Sequence, residues 1–230
     1  MTDYRIRTVD LFGRTIDDPT ILGMIPNATG YGSHRILLAL ALAWFDPRGL
    51  CTPRPSCVYE FGMGEGSTPH IAAFCSAHGV NRACFESDPS WFARYFEPGY
   101  LSANVFGGFR TNDGKTTIIN GYAGWDSIPI ESLPARGIDV ALVDHAPGQR
   151  RKVEIERLRE KATFVVVHDT EKDGCGDYQV EDALSSYKFR LDDYPGGAGT
   201  TIVSDYIGVS SEPFVIGLLR LRSLAAISSG

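Results

Sequence analysis

Polar residues stand at the close of five apolar runs: Glu60 after Cys57-Val58-Tyr59, Glu86 after Ala83-Cys84-Phe85, Asn120 after Ile118-Ile119, Asp144 after Val140 to Val143, and His168-Asp169 after Phe164 to Val167. A carboxylate can accept hydrogen bonds from two neighbouring hydroxyls at once, and an imidazole beside a carboxylate can take a proton near neutral pH. His168, Asp169, Asp144 and the adjacent His145 are therefore candidates for proton transfer, with a strand-end histidine bonded only to backbone as the plain alternative for His168.

The runs themselves read as strands. Aromatic and β-branched residues dominate them, and Thr163 to Val167 is apolar nearly throughout, as in a central parallel strand buried on both faces. Between them lie helical stretches, so the pattern predicts an α/β domain with a mostly parallel sheet. Lys188 to Tyr194 and Thr200 to Asp205 flank Pro195-Gly196-Gly197-Ala198-Gly199, which predicts an antiparallel hairpin near the end. In an open parallel sheet the strand ends gather on one edge, where ligands bind.

The first run breaks into Gly62, Gly64 and Gly66 before Ser67-Thr68-Pro69 opens a helix. Glycines there permit unusual backbone angles and close approach of a ligand to the main chain. Their spacing differs from the dinucleotide fingerprint, and an acid facing a pyrophosphate would be repelled. Glu60-x-Gly62-x-Gly64-x-Gly66 instead resembles motif I of the class I S-adenosylmethionine-dependent methyltransferases.

That resemblance covers about residues 56–206 and implies a Rossmann-like fold, a seven-stranded mostly parallel sheet with a C-terminal antiparallel hairpin. Residues 1–55 are then an N-terminal helical or lid segment, and 207–230 a C-terminal extension open to reading as edge strand, helix or oligomer contact. It also implies S-adenosylmethionine as cofactor, held by Glu60 at its cationic end, by Gly62, Gly64, Gly66 and Ser67, and by Asp144. Glu86, 20 residues past Gly66, accepts the ribose hydroxyls. Asn120, Gly121 and Tyr122 fall where the family contacts adenine, although the usual acid is missing there. In the metal-dependent O-methyltransferases, acids after the fourth and fifth strands hold magnesium. Asp144, His168 and Asp169 match those places, with His168 suiting manganese better than magnesium. A metal-free general base at His168 or His145 is the other mechanism. The implied activity is O-methylation of a small-molecule or glycan hydroxyl, and the alternative is a catalytically silent cofactor-binding sensor or structural subunit.

Composition bounds the rest. At 230 residues and 43% hydrophobic the chain suffices for one sizeable domain, and a net charge of −6 disfavours nucleic acid as partner. Cys51, Cys57, Cys75, Cys84 and Cys175 form no C-x-x-C pair and read as reduced thiols, with Cys51 and Cys57 a weak disulfide or metal alternative. No apolar run is long enough to span a bilayer, so a cytoplasmic protein without membrane contact is expected, with homo-oligomerisation open. Asp88 before Pro89 reads as a helix cap, Trp91 to Phe96 as an aromatic helix face that is core rather than a stacking platform, and Tyr31 and His34 as pocket-lining or merely docked. Arg150 and Arg151 oppose the dipole of the helix they open, which suggests service to a nearby acid.

Overall fold

A computed structural model of the chain describes residues 7–26, 28, 32–45, 55–95, 118–122, 124–171, 177–194 and 198–228. The expectations placed on Tyr31, Cys51, Cys175 and the turn 195–197 lie outside those residues. In chain order the elements are β1 (Val9–Leu11), β2 (Arg14–Ile16), α1 (Pro19–Leu22), α2 (His34–Trp44), β3 (Cys57–Phe61), α3 (Thr68–His78), β4 (Asn81–Glu86), α4 (Pro89–Tyr95) and β5 (Ile118–Tyr122). There follow β6 (Ile138–Val143), α5 (Arg151–Leu158), β7 (Ala162–His168), α6 (Glu181–Ser185), β8 (Phe189–Asp193), β9 (Thr200–Ser204) and α7 (Glu212–Ser228).

The main sheet has seven strands in the order β5-β4-β3-β6-β7-β9-β8. The first five are parallel, and β9 enters antiparallel beside β7 with β8 antiparallel at the edge. This is the Rossmann-like sheet that the motif implied. Strand order reverses at β3, whose neighbours are β4 and β6, so the carboxyl ends of β3, β4 and β6 flank a crevice.

Helices cover both faces. Val58, Val140, Leu142, Phe164, Val166 and Ile202 pack against α2, α3 and α7 on one side. Phe61, Ala141, Val143, Val165, Val167 and Val203 pack against α5 and α6 on the other. The period-two alternation of a strand divides adjacent residues between the two cores. Every residue of β7 is buried, as its apolar run requires.

β5 extends through Gly121 and Tyr122, which pair with Phe85 and Glu86, so both belong to the strand rather than to the turn expected after Asn120. Residues 207–230 supply a helix: Phe214 of α7 stacks on Trp44 at 5.2 Å, and Gly217 lets Leu40 approach. Ahead of the sheet, β1 and β2 form a separate hairpin, with Val9 opposite Ile16. Three-residue strands are too short to leave a readable alternation, so they carry no signal in the residue pattern. Among the described residues no helix is long and apolar enough to cross a membrane.

Candidate functional site

The glycine turn is fixed by the chain that crosses beneath it. Gly62 has φ +95°, a conformation that side-chain-bearing residues rarely adopt, and a Cβ there would run into the main chain of Asp144 and His145. Its N–H bonds Phe85 O at 2.9 Å, while Asp144 N bonds Phe61 O at 2.8 Å, so the ends of β3, β4 and β6 are stitched together at this point.

Glu60 does not reach the crevice. It shares the face of β3 that carries Val58, is fully buried, and accepts hydrogen bonds from Ser67 Oγ (2.5 Å) and Thr68 Oγ1 (3.0 Å) at Oε1. Thr68 Oγ1 in turn accepts from Gly64 N–H at 2.8 Å. The expected contact with a cofactor's cationic end is therefore corrected: in this structure Glu60 braces the glycine turn from below. Burial pushes its carboxyl up to about 7, against the lowering effect of the Ser67 and Thr68 hydroxyls. The folded chain thus holds a proton that the unfolded chain, near the ordinary 4.5, releases. Stability is full below that lower value, falls as pH rises between the two, and stays reduced above about 7. The span corresponds to roughly 3 kcal/mol. Glu60→Gln, which keeps an acceptor for both hydroxyls, is expected to melt higher than wild type at mildly alkaline pH and to match it in mild acid. A melting series against pH checks this, and a wild-type curve flat through that window would contradict it.

Glu86 lies on the cavity wall as expected. Its Oε2 accepts from Met63 N–H (3.1 Å), and its Oε1 from Ser87 and Asp88 N–H (2.6 and 2.9 Å). It therefore joins the second strand's end to the glycine turn. Asp88 caps α4, accepting from Ser90 and Trp91 N–H at 2.7 and 3.1 Å. Trp91 is not core, as its aromatic surroundings suggested: it is 41% exposed and lines the cavity, with the Arg94 guanidinium over its ring at 4.9 Å. Asn120, Gly121 and Tyr122 pair with Cys84, Phe85 and Glu86 in the sheet, and the adenine contact expected of their side chains lies outside what the structure describes.

The ends of β6 and β7 bring the remaining polar residues together. His168 Nδ1 lies 3.2 Å from Asp144 Oδ1 and 3.6 Å from Asp169 Oδ1. Asp169 turns back toward them through a left-handed residue, φ 55°. Arg151, the first residue of α5, donates from Nη2 to Asp144 Oδ1 (3.1 Å) and from Nη1 to Asp169 Oδ2 (3.0 Å). It also donates to the carbonyls of His145 (2.9 Å) and His168 (2.8 Å). The expectation for Arg151 holds, and two carboxylates offset its position at the wrong end of a helix dipole.

Burial alone would weaken protonation of His168, but the Asp144 hydrogen bond and the charges of Asp144 and Asp169 outweigh it and raise its pKa. Burial would likewise raise Asp144, yet the His168 hydrogen bond and nearby cationic groups hold it below the usual carboxylate range. His34 completes the cluster. Its ring meets that of His168 edge-on, with centroids 4.7 Å apart, and burial drives its pKa down to about 4. The Gly66 main chain lies nearby, but among the described residues neither His34 nitrogen nor His168 Nε2 has a partner within hydrogen-bond geometry. Ser33 fixes the approach of α2 by bonding Ala198 O (2.6 Å) and meeting Thr200 Oγ1 (3.3 Å).

His145 is excluded from this group. It points to the opposite side of the sheet from Asp144, stacks on Trp125 at 4.2 Å and bonds Glu154 at 3.0 Å with both side chains fully buried. Arg150 belongs to the same structural network, pairing with Asp126 and Glu154. His145 therefore holds α5 against the sheet and is withdrawn as a catalytic candidate.

One cavity of about 510 Å³ joins the two halves, with Gly64, Gly66, Ser67, Glu86 and Trp91 at one end and His34, Asp144, Arg151, His168 and Asp169 at the other. Gly64 faces open space, its nearest neighbour to a built Cβ being Ser67 Oγ at 3.9 Å. A cavity of this size, with its glycine wall, its carboxylate and an exposed indole, fits a nucleoside-bearing cofactor.

A divalent metal fits less well. Donor atoms of His34, Asp144 and His168 lie within 4.8 Å of one another, close enough to face one ion, but the two carboxylates expected to hold it are already engaged. Asp144 Oδ1 is already shared between His168 and Arg151, and Asp169 is tied to the same guanidinium.

No family model and no curated protein matches the chain. Among solved structures it is similar to the O-methyltransferase TomG from Streptomyces achromogenes in complex with SAM, at 15% identity and TM-score 0.47, covering 82% of this chain and 91% of that one. It is also similar to an O-methyltransferase from Bacillus cereus in complex with SAH, at 13% identity and TM-score 0.45, covering 82% and 92%. A human methyltransferase 10 domain containing protein is 13% identical at TM-score 0.48, covering 85% and 90%.

Proposed function

We propose that the chain is an S-adenosylmethionine-dependent methyltransferase acting on a hydroxyl of a small molecule or glycan. The observation that carries this reading is the single cavity that runs from the glycine turn and Glu86 to the Asp144-His168 pair. Gly64, Gly66 and Ser67 would hold the amino-acid end of the cofactor at the start of α3, Glu86 the ribose, and Trp91 the adenine. When bound, S-adenosylmethionine supplies an electrophilic methyl carbon.

The rest falls to the chain's own residues. Asp144, pinned by Arg151, accepts from His168 Nδ1–H and so fixes the tautomer in which Nε2 carries the lone pair. His168 Nε2, without a hydrogen-bond partner among the described residues, takes the proton of the acceptor hydroxyl. His34, kept neutral by burial, packs edge-on against the ring of His168 and holds that ring in place. The net negative charge of the chain favours an uncharged or cationic acceptor over nucleic acid.

Formation of S-adenosylhomocysteine tests the reading. With a panel of phenols, catechols and sugar hydroxyls, at least one acceptor is expected to give multiple turnovers. Tight binding of the cofactor with no turnover on any of them would favour the silent sensor instead.

A further inference from the structure

We propose that the guanidinium of Arg151 occupies the seat of a divalent cation, so that this chain carries its positive charge at Asp144 and Asp169 as a resident side chain. The proposal rests on the methyltransferase reading for what it does at His168, while its test reads the carboxylates and their counter-charge alone.

Arg151 is only 6% exposed, and its hydrogen bonds are those of a group built into a site. Four of its five N–H bonds have acceptors among the described residues: the carbonyls of His145 and His168, and one carboxylate oxygen from each of the two acidic residues expected to hold a metal. Its planar head also lies 4.8 Å from the Tyr178 ring centroid, which closes the side away from the strands. Gly148 leaves room for that ring, because any side chain there would run into it. The fork matters. Asp144 and Asp169 descend from different strands, and a planar guanidinium reaches both while also bonding both strand ends; an ammonium offers a point charge without that reach.

The consequences are chemical. A metal would lower the pKa of an acceptor oxygen by coordinating it directly. A guanidinium enclosed by four acceptors does not coordinate. It instead orients Asp144 toward His168, leaving proton removal to the imidazole. Arg151 is in these terms a positioning residue. Two carboxylates against one guanidinium leave a single net negative charge, which the raised proton affinity of His168 further reduces.

Manganese titration of the full chain decides the matter, read by calorimetry and by the electron paramagnetic resonance of the free ion. Wild type is expected to bind no manganese at millimolar concentration, and chelator treatment to leave its melting temperature unchanged. Arg151→Ala is expected to gain a manganese site in the micromolar range, lost again in Arg151→Ala/Asp169→Asn, while Arg151→Lys gains none. Micromolar binding by wild type that Asp144→Asn or Asp169→Asn abolishes would overturn the proposal, as would a folded Arg151→Ala that binds no metal. Should Arg151→Ala fail to fold, wild type and Arg151→Lys still decide: metal binding by either, dependent on Asp169, sinks it.

Discussion

Replacing His168 by Gln is expected to lower turnover by roughly two to four orders of magnitude while leaving S-adenosylhomocysteine affinity within about threefold of wild type. Glutamine fills a similar volume and can still donate to Asp144, but it offers no basic nitrogen where Nε2 stands. Because Asp144 and Asp169 raise the pKa of His168, the rising limb of the pH profile should lie above the ordinary imidazole value of 6.5. Asp144→Asn removes the hydrogen-bonded charge, so its limb should move to lower pH even as its rate falls. Steady-state kinetics across pH checks both. Retention of more than about a tenth of the activity by His168→Gln would assign the proton to another group.

The second large effect separates two glycines that look alike in the motif. Gly62→Ala forces a side chain into positive φ and against the main chain of Asp144 and His145, neither of which can yield without moving β6. Backbone strain of about 1–2 kcal/mol and overpacking of about 1–3 kcal/mol add, which for a chain of this size lowers the melting temperature by roughly 4–20 °C. Gly64→Ala meets nothing nearer than Ser67 Oγ at 3.9 Å, so its stability should be close to wild type. Its methyl instead enters the cavity where a ligand must approach, and cofactor affinity should fall. Thermal melts and binding titrations of the pair distinguish the roles. Equal stability of the two variants would contradict the account of the turn.

Why some of this was legible in the residues and some was not follows from what local pattern encodes. The parallel strands show because apolar runs buried on both faces must be continuous, and β7 is the clearest case. Polar residues at their ends mark the edge of the sheet, which is how Glu86, Asp144, His168 and Asp169 reach the cavity. The direction of a side chain at a strand end is less visible. Glu60 shares a face with Val58 and sinks beneath the turn, and His145 follows Asp144 by one residue and therefore points away from it. Arg151 was detectable as a cation at the wrong end of a helix. His34 was only one of two candidates beside the pocket, since its place depends on α2 packing onto strands far along the chain through Ser33 and Thr200. Trp91 misled because a short helix carries too few turns to show which face is buried.

The central claim is that the cavity above the glycine turn binds S-adenosylmethionine through Glu86. Calorimetric titration with S-adenosylhomocysteine, beside NAD as a control, tests it most directly. The account predicts one-to-one binding to wild type, none for NAD, and a loss of about tenfold to a hundredfold in Glu86→Ala. Absence of heat with S-adenosylhomocysteine, or affinity unchanged in Glu86→Ala, would contradict it.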